Sequence, residues 1–328
     1  MKILITGAGG FLGRHLAESL LKDGHQVTNF SRGSYPELEE HGVISIKGDL
    51  NNYQEVEKAL ENQEAVFHVA SRVGMWGKWE DFYRTNVNGT ENIIKACQKN
   101  NIKKLIYTST PSVVYGKNGL HGVDETQPYP TEYLSYYAKS KALAEKSVLQ
   151  ANGVAGLLTV SLRPHLIFGP RDQNLVPRLV AAAKKGKLKI VGDGQNRVDV
   201  VYVDNAVSAH KAALEKLVQA SPICGQAYFI GQGPVKLWDF VDQLLSAHKL
   251  KPLKKRIGLK NAYRIGAAME TGLRLFNKYD IEPPMTRFVA LQLGTNHYFN
   301  HEKAQRDLDF HPSISLEEGV KRLKNSLA

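Results

Sequence analysis

Lys2-Ile3-Leu4-Ile5-Thr6-Gly7-Ala8-Gly9-Gly10-Phe11-Leu12-Gly13 is the stretch from which the fold is read. It begins as a short apolar run suited to a buried strand, and Gly7, Gly10 and Gly13 then follow three apart before a segment of helical period. Each glycine has its own steric task. Gly7 lets the strand turn sharply, Gly10 lets backbone amides approach an anion, and Gly13 lets the first helix pack against the sheet. A helix opening at Phe11 and Leu12 behind such a loop is where a dinucleotide pyrophosphate sits. Gly7, Gly10, Phe11, Leu12 and Gly13 are therefore the cofactor-binding residues of this segment.

Outward from the loop, short apolar or β-branched runs alternate with longer helical periods. Strands are expected at Lys2–Thr6, Gln26–Ser31, Ile44–Lys47, Ala65–Val69, Lys104–Thr108 and Thr159–Arg163, with crossover helices at Phe11–Lys22, Gln54–Glu61, Tyr83–Asn100 and Tyr137–Asn152. That rhythm specifies an α/β fold, a doubly wound parallel sheet of the Rossmann type with right-handed crossovers. Beyond Pro164 the alternation becomes irregular, with a helix at Leu175–Lys185 and strands at Leu188–Val191, Val198–Val203 and Ala227–Ile230. From Lys236 onward, helical periods at Leu237–His248, Asn261–Phe276, Arg287–Leu293 and Leu316–Asn325 predict a mostly helical C-terminal lid. The expected division is a dinucleotide-binding domain over 1–165, with returning segments near 198–231, and a smaller substrate-binding domain over 166–197 and 232–328.

Composition narrows the class. The chain of 328 residues is 42% hydrophobic and 23% charged, ordinary values for a globular protein, and no apolar run is long enough to cross a bilayer. The glycine loop begins too soon after Met1 to leave room for a secretory leader, which predicts a cytoplasmic protein. Cys97 and Cys224 are too few for a disulfide framework and lack metal-ligand spacing, so no metal is expected. The net charge of +11 is spread along the chain without a nucleic-acid recognition motif, and anionic small molecules are the expected beneficiaries. The densest basic stretch, Lys249 to Lys260, reads as a solvated face, as a guide for an acidic substrate, or as a peripheral contact for an anionic membrane surface.

The end of the second strand bears on the cofactor. Where an NAD enzyme offers an Asp or Glu to the ribose, this chain has Ser31 and Arg32, a hydrogen-bond donor and a phosphate-pairing cation. NADP is the expected cofactor and NAD the alternative. Asp49 and Leu50, just after the third strand, stand where a carboxylate could accept a hydrogen bond from the adenine amino group or cap a helix. Further on, Tyr137 and Lys141 are four apart and so share one face of a helix. A phenol beside an ammonium can carry acid–base chemistry on a carbonyl.

Several motifs in order carry a resemblance: Thr6 to Gly13, His68-Val69-Ala70-Ser71, Asn86-Val87-Asn88-Gly89-Thr90, Tyr137 with Lys141, and Arg163-Pro164 with Gly169-Pro170. The chain resembles the extended short-chain dehydrogenase/reductases from end to end. The resemblance implies a catalytic trio of Tyr137, Lys141 and a hydroxyl after the fifth strand. Counting from that strand selects Thr110, counting back from Tyr115 lands on Pro111, and Ser109 and Ser112 are held in reserve. It also implies that Val69, Ala70, Ser71 and Pro164 line the cofactor, that Asn86 steadies an active-site water or backbone, that His165 is a candidate substrate contact, and that the protein is a homodimer.

Sugar-nucleotide dehydratases of this family carry Asp-Glu where Pro111 and Ser112 stand, so dehydration is disfavoured. Tyr107 to Val113, Asn174 to Arg178, Val201 to Asn205 and Glu282 to Phe288 are similar to the 3β-hydroxysteroid dehydrogenase branch, and within it to the 2-alkyl-3-oxoalkanoate reductases of bacterial olefin biosynthesis. This implies hydride transfer between NADPH and a small hydrophobic substrate, a 3-oxo acid or steroid-like molecule, with Tyr137 as general acid or base. The alternatives are an NAD-dependent nucleotide-sugar epimerase and a non-catalytic NADP-sensing regulator.

Overall fold

In the computed structural model, which describes residues 1–327, seven parallel strands form the central sheet. They are β1 (Lys2–Thr6), β2 (Gln26–Ser31), β3 (Ile44–Lys47), β4 (Ala65–His68), β5 (Lys104–Thr108), β6 (Leu158–Pro164) and β7 (Gln226–Ile230). Their spatial order is β7-β6-β5-β4-β1-β2-β3, so the winding reverses between β1 and β4, where ligands of doubly wound sheets bind. The register sets Thr6 opposite both Phe30 and His68 at that point.

Side chains of successive strand residues point to opposite faces, and both faces are buried. Ile3 and Ile5 of β1, Phe67 of β4 and Ile106 of β5 join one core, while Leu4, Val66, Leu105 and Tyr107 join the other. The first core is closed by α1 (Phe11–Lys22), through Leu12, Leu16 and Leu20. The second is closed by α2 (Gly89–Lys99), through Ile93 and Ile94, and by α3 (Tyr136–Gln150), through Ala144 and Val148. A fourth helix, α4 (Val203–Lys216), adds Ala206, Ala213 and Leu214 to the first core. Each fully buried Leu, Ile or Phe contributes about 1.5–3 kcal/mol, which anchors the strand ends carrying the loops.

One expectation is refined and two are corrected. The helix expected over Tyr83–Asn100 is present but starts earlier, at Trp79, and passes through a wide π-turn at Tyr83–Asn88 before continuing as α2. The wide turn draws the Asn86 side chain out of helical register toward Arg72 and Ser140. The strand expected at Val198–Val203 is broken: Arg197–Asp199 joins a small sheet with Pro234–Lys236, His297–Phe299 and Leu120–Val123, whereas Val201–Tyr202 pairs with Ile167–Phe168. Buried Asp199 breaks it, because its carboxylate turns aside to accept the Phe299 amide and the His301 ring. Of the strand expected at Leu188–Val191, only Ile190–Val191 is extended. The C-terminal region is mostly helical, as expected, and its helices, including α5 (Leu259–Leu275) and α6 (Arg287–Gly294), are interleaved with the short strands Arg256–Ile257 and His297–Phe299. Residue 328, the last of the expected substrate domain, lies outside the described residues.

Candidate active site

The glycine loop has the shape an incoming pyrophosphate requires. Gly7 has φ +77° and lies so close to β4 that an added Cβ would sit 2.9 Å from Ala70 Cα, while a Cβ on Gly13 would overlap the Gly7 carbonyl. Gly10 caps α1 without a side chain, so no protein acceptor competes for the helix's first amides, at Phe11 and Leu12. The cradle fits a dinucleotide. Tyr35, which the sequence alone did not single out, lies against Gly9 and Gly33 at its rim.

At the far end of β2, the Ser31 hydroxyl donates to the Gly33 carbonyl at 3.1 Å and accepts from Asn29, holding the turn from which exposed Arg32 projects. Asp49 does not cap the next helix; Asn52 does, and Asp49 instead closes a turn by accepting from the Asn51 amide and side chain at 3.0 and 2.7 Å. Burial pushes the Asp49 carboxyl up, but the Asn51 hydrogen bonds and the positive charges of Arg32 and Arg84 outweigh it, and the group is held below the usual aspartate range. Ser31, Arg32 and Asp49 are thus gathered at one rim. Leu50 packs beside Gly89, the first residue of α2.

Beyond β4, Val69, Ala70 and Ser71 run half-buried past the loop, and the Ala70 amide donates to Thr6. His68 fastens this edge. Thr90 donates to the Asn86 carbonyl at 2.6 Å, so its oxygen accepts from His68 Nε2, and His68 Nδ1 in turn accepts from the Thr6 hydroxyl at 2.7 Å. Burial, with Lys141 nearby, pushes this ring down to about 3 and keeps it neutral. Pro164 ends β6 opposite Ile230.

α3 begins one residue before Tyr137 and brings Tyr137 and Lys141 to one face. Burial raises the Tyr137 phenol to about 12, opposed by the hydroxyl of Thr110. Thr110, beside that phenol, sits in extended backbone and accepts the Ser112 amide at 3.3 Å, capping the turn Pro111–Val114. Lys141 is 1% exposed; its Nζ donates to the Thr108 carbonyl at 2.6 Å and lies 4.1 Å from the Tyr107 ring centre. Burial pushes the ammonium down to about 7, with Glu145 opposing. The Lys141 ammonium turns to the Thr108 carbonyl, and burial governs both groups.

One turn beyond Lys141, fully buried Glu145 pairs with Arg163 at 2.6 Å and accepts from Tyr129 and Ser161. Burial would raise Glu145, but the Arg163 guanidinium outweighs it and holds the carboxylate ionised. Sequence reasoning passed over Glu145, although its spacing of four from Lys141 was the signal. Asn86 accepts the Arg72 amide at 2.7 Å and donates to the Arg72 carbonyl and to Ser140, so it clamps backbone to α3. His165 is buried 2.6 Å from His297 and is not among the residues lining the cavity described next.

That cavity, of about 210 Å³, adjoins the start of α3. Met75, Trp76, Phe82, Tyr133, Leu134 and Tyr136 form its apolar and aromatic walls, and Glu270, Arg274, Tyr279 and Arg287 close it from the C-terminal region. The roof is tied down: Trp76 Nε1 donates to the Lys278 carbonyl at 3.0 Å and stacks on Tyr279. No group of His, Cys, Asp and Glu among the described residues could hold a metal, and no helix among them is long and apolar enough to cross a membrane.

Comparison with known proteins matches this arrangement to one family. Residues 4–260 match the model of the 3-beta hydroxysteroid dehydrogenase/isomerase family. The chain is 47% identical over 333 residues to a 2-alkyl-3-oxoalkanoate reductase of Stenotrophomonas maltophilia, covering 100% of both. It is 35% identical over 329 residues to the decarboxylating sterol-4-alpha-carboxylate 3-dehydrogenase of Mus musculus, covering 99% of this chain and 90% of that one. Among solved structures, MoeE5 in complex with UDP-glucuronic acid and NAD superimposes with a TM-score of 0.77 at 25% identity, over 100% of this chain and 99% of that one. With a glycine cradle for a nicotinamide dinucleotide and relatives named as reductases and dehydrogenases, the protein is an NAD(P)-dependent oxidoreductase acting on CH–OH/C=O groups, and it belongs to the 3-beta hydroxysteroid dehydrogenase/isomerase family.

Proposed function

We propose that the protein reduces the ketone of a hydrophobic 3-oxo acid or steroid-like substrate to the alcohol, with NADPH as donor. The observation that carries this reading is the Tyr137 phenol beside the Thr110 hydroxyl, with Lys141 one turn along α3, next to an aromatic-walled cavity lined by the residues that precede Tyr137. The named relatives support the acid: in a 2-alkyl-3-oxoalkanoate and in a sterol-4-carboxylate oxidised at C3, a carboxylate is attached to the carbon next to the oxygen-bearing one.

When bound, the reduced nicotinamide supplies hydride to the carbonyl carbon. Thr110 orients the carbonyl oxygen by a hydrogen bond, and Tyr137 holds the proton that this oxygen takes as negative charge develops on it. A phenol raised to about 12 is protonated at neutral pH, as a donor must be at the start of a reduction. Lys141, buried one turn away, steadies the phenolate left behind and holds the nicotinamide ribose. The glycine loop with Phe11 and Leu12 holds the pyrophosphate, Val69, Ala70, Ser71 and Pro164 flank the cofactor, and Asp49 with Leu50 borders the adenine. Ser31 and Arg32 favour the 2′-phosphate of NADP over a bare ribose. In this reading, residues 1–165 with segments near 198–231 hold the cofactor, 166–197 and 232–328 hold the substrate, and the working form is a homodimer.

The test is oxidation of NADPH against long-chain 3-oxo acids, 3-ketosteroids and UDP-sugars, with Tyr137→Phe as control. Net oxidation on the acids or steroids, lowered about 10²–10⁴-fold in Tyr137→Phe, is expected. Interconversion of UDP-sugars without net change in the cofactor would replace the proposal with the epimerase alternative.

A further inference from the structure

One wall of the cavity departs from its apolar character. α5 presents Glu270 and Arg274 one turn apart, and α6 presents Arg287 at its first residue. Glu270, 4% exposed at its side chain, is committed to Arg287, accepting its Nε at 2.8 Å, its terminal nitrogen at 2.7 Å and its backbone amide at 2.6 Å. Arg274 is left over. Its guanidinium stands 3.9 Å from Glu270, lies 5.6 Å from the Trp76 ring centre, and makes no hydrogen bond among the described residues. The hydroxyls of Tyr133 and Ser135, in the facing wall, also have no partner.

Two guanidiniums against one carboxylate leave the corner with a single net positive charge. With its side chain 44% exposed at the cavity wall, Arg274 keeps its charge in water and spends none of its donors on the fold, so the guanidinium is open to an acceptor. An anion on the ligand supplies one. We propose that Arg274, backed by Arg287, is the subsite for the substrate's carboxylate, so that the planar fork of the guanidinium takes up the two oxygens while the ketone is turned toward Tyr137. The inference rests on the reductase reading and sharpens it, since it makes the carboxylate the feature that separates a 3-oxo acid from a neutral ketone. The charge count favours a carboxylate over a nucleoside diphosphate, whose further charges would face Glu270 in an otherwise aromatic chamber.

Arg274→Met keeps the aliphatic stem and removes only the fork. Two measurements are made on the whole protein. Without cofactor, decanoate and 1-decanol are titrated by calorimetry; wild type should prefer decanoate at least about tenfold, and Arg274→Met should lose about tenfold or more for decanoate while the alcohol moves less than about threefold. In turnover with NADPH, KM for 3-oxodecanoate should rise about tenfold or more in the variant with kcat within about threefold, while KM for its methyl ester stays within about threefold. Arg274→Lys should fall between. Equal losses for acid and alcohol, or for acid and ester, would overturn the subsite, as would UDP binding that exceeds that of decanoate and disappears in Arg274→Met. If no ketone is reduced while decanoate binding still depends on Arg274, it is the reductase reading that fails and the carboxylate subsite that stands.

Discussion

Lys141 shows how a single residue trades stability for chemistry. Its folded value of about 7 lies far below that of an exposed lysine, so its contribution is fully present above the unfolded value near 10.5 and is lost as pH falls toward 7. Below neutrality the fold carries the whole cost of a buried cation, offset in part by the Thr108 carbonyl and the Tyr107 ring. Lys141→Met should therefore stabilise the ligand-free protein against urea by about 1–3 kcal/mol at pH 6 and by clearly less at pH 9, while abolishing turnover. An equal change at both pH values would mean that Lys141 titrates as an ordinary lysine. Arg32 is the complementary case, exposed and without structural duty. Replacing it by Ala should raise KM for NADPH about 10–100-fold and leave NADH within about threefold, and equal losses for the two would remove the phosphate contact.

At the scale of elements, what the sequence made legible was whatever had a local signal. The strand–glycine–helix unit of Lys2–Lys22 and the Tyr137/Lys141 pair follow from steric need and from a spacing of four, and both are found where periodicity put them. Elements decided by distant partners were not legible. The π-turn at Tyr83–Asn88 exists because Asn86 must reach Arg72 and Ser140, and the break at Val200 follows from contacts of Asp199 with Phe299 and His301, about a hundred residues away. The cavity corner likewise joins Trp76 to Arg274 and Tyr133 to Arg287, which no window along the chain brings together. The π-turn can be tested as an element. Asn86→Ala deletes three hydrogen bonds, the one to Ser140 fully buried and the two to Arg72 partly so, and should cost about 2–4 kcal/mol by urea unfolding. Because the freed Arg72 leads into the cavity wall at Met75 and Trp76, KM for the ketone should also rise more than kcat falls; unchanged KM would show that the clamp serves stability alone.

For the whole molecule, neutral histidines hold the joints between layers. His68 ties β4 to β1 and α2, His210 on α4 holds the Thr108 side chain at the end of β5, and His165 after β6 meets His297 of the small sheet. Burial pushes His68 down to about 3 and His210 and His297 to about 4, and takes His165 well below the ordinary value. Each is fully favourable above the unfolded value near 6.5 and loses its contribution as pH falls from there toward the folded value, since only the unfolded chain then takes up the proton. His301 runs the other way: burial lowers it, but its hydrogen bond and charge pairing with Asp199 prevail and raise it, so its contribution is kept in acid and lost on the alkaline side. It cannot rescue the joints, nor do the lowered carboxylates matter until pH approaches their own unfolded values near 4.5. Unfolding at about pH 5.5 should accordingly take up roughly three protons, so that stability falls by about 4 kcal/mol per pH unit, and Thr108, which holds Lys141 through its carbonyl, should be among the first positions to lose amide protection. Urea unfolding at closely spaced pH values with hydrogen exchange at Thr108 measures both. A slope below that of one proton would mean that these rings are already charged in the fold, and the neutral-tautomer chain from Thr6 through His68 to Thr90 would then be wrong as well.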